Sequence, residues 1–199
     1  ATVNSANESI RASNSMVSRM LVCIDDSMVS RAIVPHARTI ANGLGYRFQL
    51  VHVIEPDHTF HAPCDPVEWE IRRRETTDHL KSLGDVYRIP AEEVDCLVLE
   101  GRVEDQINSC INQNQQAIAA FCRKDDSVIG RIGEAARRFM EASRGSVFMI
   151  PASTTHQLVV RYSSILVPLD GSARAEAAIP IALSIAQSQK AKVVIVHAI

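Results

Sequence analysis

The chain has 199 residues, 46% of them hydrophobic and 22% charged, which is enough for one medium or two small domains with a buried core. This balance excludes fibrous and intrinsically disordered chains, and no run approaches the roughly 18 apolar residues of a membrane-spanning helix. With 21 Lys+Arg against 23 Asp+Glu the formal charge is -2, so the overall balance points to neither nucleic acid nor an anionic membrane surface as a partner.

Residues 1–18 are polar, lack the apolar run of a secretion signal, and read as a flexible leader or linker. The run MLVCI at 20–24 has strand length, and the Asp25-Asp26-Ser27 that follows supplies an Asp-x-Ser helix cap. About four helical turns with Ala, Ile and Val on one face then lead into a second β-branched run, FQLVHVI. A loop rich in Pro and His (55–66) precedes a charged helix around Trp69–Leu83, which Trp69 is expected to pack onto the sheet. Next come a strand Val94–Leu99, a helix Val103–Asn112, a short run Ala117–Phe121, a helix Gly133–Ala142 and a strand Val147–Ile150. Five strands alternating with four helices predict an α/β fold over 19–152, an open parallel five-stranded sheet with helices on both faces.

Residues 153–163 form a linker, and beyond it the sequence repeats itself. Residues 20–54 and 165–199 align without a gap, and 12 of the 35 pairs are identical. The shared residues include Asp25/Asp170, Ser27/Ser172, Pro35/Pro180 and His52/His197, polar and special positions that a generic strand-helix-strand pattern does not explain. Residues 164–199 therefore read as the opening β-α-β of a second, incomplete domain. Such a unit leaves apolar sheet surface uncovered, so it is expected to dock on the first domain or on another chain.

ILVPLDGSARAEAAIPIALSIAQSQKAKVVIVHAI resembles the universal stress protein family in its tandem form, whose domains share the adenine-nucleotide alpha-hydrolase-like fold. MLVCIDDSMVSRAIVPHARTIANGLGYRFQLVHVIEP and LEGRVEDQI match the same family less closely. The resemblance implies a stress-response or signalling module, cytoplasmic and often homodimeric, that binds ATP or a related adenosine nucleotide and is not expected to catalyse. It implies adenosine contacts at Asp25 and Val53 in the first copy, and at Pro168, Asp170 and Ala198 in the second. Cys23 stands where the family places Pro. The family's phosphate loop, G-x2-G-x9-G-[ST], is degenerate in the first copy. In register, its last pair becomes Gly133-Glu134 and its first glycines fall near Ala120 and Arg123. A carboxylate at that helix start repels phosphate, so no nucleotide is expected to bind tightly to the first domain, although Arg123 and Lys124 offer an alternative anion contact. Gly145-Ser146 imitates the loop's end but belongs after the helix.

Other constellations point elsewhere. Asp25-Asp26 after the first strand resembles the acidic pair of a phospho-receiver domain, yet the second copy has Asp170-Gly171 and the third strand ends Leu99-Glu100-Gly101 without an acceptor Asp. His58, His61 and Cys64 offer soft metal ligands without a partner pair, so no metal is assigned. Arg72-Arg73-Arg74 spreads around a helix beside Glu68, Glu70 and Glu75 and reads as a solvated face rather than a nucleic-acid site. Five scattered cysteines without a Cys-x-x-Cys pair fit a reducing compartment, and no nucleophile and base are paired by spacing. The partners expected are a second copy, or the two repeats paired within one chain. A cytosolic regulatory tail of a transporter-type protein is a further alternative.

Overall fold

The computed structural model describes residues 18–55, 66–113, 117–123, 134–142, 146–151 and 158–197. Strands β1 (Arg19–Cys23), β2 (Arg47–Ile54), β3 (Asp95–Glu100), β4 (Ile118–Arg123) and β5 (Ser146–Pro151) form one sheet in the order β3-β2-β1-β4-β5. Every neighbouring pair is parallel, as expected from strands separated by helices. Period-two alternation sends Met20 and Val22 of β1 to one face and Leu21 to the other. On the first face α1 (Ile33–Leu44) and α2 (Pro66–Val86) supply Val34, Ile40, Leu80 and Leu83. On the second, α3 (Val103–Gln113) and α4 (Glu134–Ala142) supply Ile107, Ile111 and Phe139. With both faces covered, the strands read as near-continuous apolar runs.

The long first helix foreseen after Ser27 is broken. A 3-10 turn, Met28–Ala32, precedes α1, and in the second repeat α5 (Ala173–Glu176) precedes α6 (Ala178–Gln189) with the break at the equivalent residue. Pro35 and Pro180 explain both breaks. A proline ring clashes with the carbonyl four residues back, and its missing N–H is harmless only in a helix's first turn, so the helix restarts two residues before it. The repeats also end their helices alike. Gly45 and Lys190 both take the left-handed conformation, at φ 69 and φ 54. Only glycine does so without a Cβ penalty, so Lys190→Gly should raise the stability of the α6 segment by about 1 kcal/mol in denaturant titration.

Helix α2 departs from expectation. It runs from Pro66 to Val86, yet its buried residues are Leu80, Leu83 and Gly84, and Trp69 is absent from the apolar clusters of the described residues. Glu68, Glu70, Arg72, Arg73, Arg74 and Glu75 are all exposed, so the first turns carry no apolar stripe with which to reach the sheet.

β6 (Ser164–Leu169) and β7 (Lys192–His197) pair in parallel as a separate two-stranded sheet. The segment docks on the first unit through α6, which lies along α1. Ile185 of α6 enters the core of the first face, with Tyr162, Ile165 and Ile181 packed against it. A Cβ on Gly43 would stand 2.6 Å from Ser188 Oγ. Gly43 and Ser188 occupy matching positions of the sequence repeat, so the two helices meet at corresponding residues. Gly43→Leu should overpack this crossing and cost about 1–3 kcal/mol of docking, seen as faster amide exchange in α6 with α3 unchanged.

Candidate functional site

The strand order reverses between β1 and β4, and a crevice at the carboxyl ends of such strands is the usual ligand position in an open α/β sheet. Cys23 of β1 is paired with Val51 of β2, and the Ile24 amide donates to the Val51 carbonyl at 2.9 Å. Asp25 and Val53, each two residues further on, therefore emerge at one level of adjacent strands. Val53 is half-buried and packs in the second apolar cluster, alongside Leu97 and Leu99 of β3. Past β3 the chain turns at Gly101, whose φ of 124 favours glycine and whose amide donates to the Ile54 carbonyl at 3.1 Å. Helix α3 then begins, with the Val103 amide donating to Glu55 Oε1 at 3.2 Å.

Asp25 is half-buried, and its Oδ1 accepts from the Ser27 amide at 2.9 Å and from the Ser27 hydroxyl. Ser27 Oγ in turn accepts from the Ser30 amide at 3.3 Å, capping the 3-10 turn. The second repeat builds the same device. The Ser172 amide donates to Asp170 Oδ1 at 2.9 Å, and Ser172 Oγ accepts from the Ala175 amide at 3.1 Å. These Ser172 bonds hold the exposed Asp170 carboxyl below its ordinary range. Pro168 and Asp170 lie exposed at the end of β6, apart from the first crevice, and Ala198 lies outside the described residues.

Cys23, in the position where the resemblance places Pro, packs against the second cluster. Burial first, and Cys110 second, push its thiol well above the ordinary range, which makes it a poor nucleophile. Burial likewise raises Cys96 and Cys110. His52 is buried, with Nε2 3.9 Å from Asp26 Oδ1, whereas its repeat mate His197 is exposed and so does not share its setting.

The loop that the resemblance places between Ala120 and Glu134 runs largely through residues 124–133, outside the described residues, as do Gly145, His58, His61 and Cys64. Its frame is visible. Glu134 is the first residue of α4, and Ser146 opens β5 after that helix has ended, which supports the register that sets Gly145-Ser146 aside. At the crevice edge sits a cluster that the sequence reading missed. Buried Glu104 of α3 accepts at Oε1 from Arg102 Nη2 at 2.5 Å and from Arg138 Nη1 of α4 at 3.3 Å. Its carboxyl is held below the usual range by its own backbone hydrogen bond first, then by Arg138 and Arg102 against the opposing effect of burial. The only signal in the sequence was an acid in the first turn of a helix. A depressed carboxylate contributes stability that is present above its unfolded value and lost as pH falls through the folded one. Glu104→Gln should therefore lower thermal stability at neutral pH, by no more than about 1 kcal/mol given the exposed arginines, and have little effect near pH 3.

The receiver-type reading finds no support in this geometry. Asp25 is folded into its own turn and Asp26 faces solvent, and among the described residues no group of three His, Cys, Asp or Glu could hold a metal ion.

No protein-family model matches the chain, and no curated protein does. Solved structures do. A universal stress protein from Archaeoglobus fulgidus DSM 4304 superposes with a TM-score of 0.67 at 17% identity, over 92% of this chain and 66% of that one. The functionally unknown protein PA1789 from Pseudomonas aeruginosa PAO1 gives 0.57 at 14% identity, over 91% of this chain and 60% of its own. Universal stress protein UspA from Lactobacillus plantarum gives 0.52 at 18% identity, over 69% of this chain and 99% of its own. The chain thus has the universal stress protein fold. The two longer proteins match it beyond the five-stranded unit.

Proposed function

We propose that the chain is a universal-stress-type module that works by ligand-dependent signalling or protein association rather than by catalysis, in the cytoplasm. The observation that carries this reading is the Asp-x-Ser turn, built twice with the same 2.9 Å carboxylate-to-amide bond at the end of a first strand. In each repeat it sets an acid at the rim where an adenosine ribose or base can be met, and in the first repeat Val53 stands beside it.

The two repeats divide the task. Asp170, with Pro168 before it, belongs to the repeat that binds an adenosine nucleotide, Ala198 being its apolar contact. The first repeat keeps Asp25 and Val53 but lacks the glycines of a phosphate cradle. On this reading 164–199 opens a second domain, an interpretation supported by the apolar outer face of β6 and β7 and by the greater length of two of the matching proteins. Association follows from the same surfaces, as pairing of the two repeats or of two chains. Saturation-transfer NMR with adenosine and ATP is the direct test. Weak transfer to the adenine protons, reduced by Asp170→Ala more than by Asp25→Ala, is expected. Equal loss in both variants, or transfer from neither ligand, would refute the division.

A further inference from the structure

We propose that His36 and Tyr162 form a latch that holds the second repeat on the first, and that protonation of His36 loosens it. His36 lies on α1, and its Nδ1 is 2.8 Å from the Tyr162 hydroxyl, with ring centroids 6.0 Å apart and planes inclined at 51°. Tyr162 belongs to the segment that leads into β6, so this bond joins residues 126 positions apart across the docking surface. Three residues along α1, the Thr39 hydroxyl donates to the Val160 carbonyl at 3.3 Å, and Val160 is buried. Ile185, Ile181 and Ile165 supply the apolar part of the docking surface.

The chemistry of the pair sets its response to pH. Burial pushes the Tyr162 phenol up to about 12, so its hydroxyl keeps its proton and can donate to an unprotonated Nδ1. Burial holds the half-buried His36 below its ordinary value, because docking strips part of the water that would solvate its cation. The surrounding charges do not offset this. Helix α6 carries no ionisable side chain, and Arg38 on α1 is bonded to Glu93 at 2.9 Å. Among the described residues 158–163 that lead to β6 the ionisable groups are Tyr162 itself and the exposed Arg161. A base whose docked value is depressed stabilises docking fully above its undocked value near about 6.5 and loses that contribution as pH falls toward the docked one. Mildly acidic conditions therefore loosen the seating of 158–197 on α1 without acting on the five-stranded sheet.

Hydrogen exchange of the full chain, corrected for intrinsic rates, reads this out. Protection of α6 should fall about fivefold between about pH 7.5 and about pH 5.5 with α3 unchanged, and His36→Gln should flatten that dependence. Tyr162→Phe should lower α6 protection already at neutral pH. An NMR titration of His36 in the unmodified chain provides a readout that needs no variant, and it should show a value below that of a solvated histidine. Constant protection in the native chain, an equal loss in α3, an unchanged pH dependence in His36→Gln, or an ordinary His36 titration would each overturn the latch.

Discussion

Leu21→Ala will destabilise the chain by about 2–5 kcal/mol, while the same change at its repeat mate Leu166 will cost less than about 0.5 kcal/mol. The two residues share a strand position, but Leu21 is 2% exposed and Leu166 is 63% exposed. Leu21 sits under α3 and α4, among Ile107, Ile111 and Phe139. Truncating it removes apolar contact and leaves a cavity in a close-packed layer. Among the described residues no helix covers the equivalent surface of β6 and β7, and Val196 is 44% exposed where its mate Val51 is 1%. Urea unfolding monitored on the five-stranded unit distinguishes the two sites. A large cost at Leu166 would mean that its face is already covered, for instance by self-association, and would remove a main support for an incomplete second domain. A chain that also carries helices equivalent to α3 and α4 after β7 should bring the two costs together.

Calorimetry of residues 1–152 with ATP should show no site tighter than the millimolar range, about -4 kcal/mol at 1 M standard state. Binding of a nucleoside triphosphate needs an adenosine contact and a phosphate cradle together, and a cradle depends on glycines that let backbone N–H groups approach the anion. The first repeat has the Asp25 turn and Val53, but Arg123 ends β4 and Glu134 begins α4 on either side of the loop. Glu134→Ser alone should not restore affinity, because the missing glycines are not replaced. In a chain extended through a complete second domain, Asp170→Ala should abolish the adenosine-nucleotide binding that remains. Tight binding by residues 1–152 that disappears with Asp25→Ala would overturn the assignment of a degenerate first site.

Much of this was legible in the residues. Strand-length apolar runs separated by helical periodicity specify the parallel α/β sheet, and the gapless repeat pairs Asp25 with Asp170 by sequence alone. The helix and strand on which the loop's register was argued lie close to where the sequence put them, with α4 starting at Glu134 and β5 at Ser146. The helix breaks at Ala32 and Ala177 were not foreseen, although Pro35 and Pro180 account for them, since a proline's effect is local to the turn before it.

What the sequence could not decide were questions of which surfaces meet. Trp69 looked like a sheet-packing residue because aromatic side chains usually bury, yet the charged turns around it keep that stretch of α2 out of the core. Glu104, Arg102 and Arg138 converge only because α3 and α4 lie side by side on one face, a proximity between distant segments that no spacing announces. His36 and Tyr162 are likewise unremarkable in sequence and become a bonded pair only when α6 docks on α1. Local pattern fixes strands, turns, caps and breaks, because those depend on neighbours along the chain. Burial, charge pairing and the seating of one repeat on the other depend on contacts between residues far apart, and only the folded arrangement brings those together.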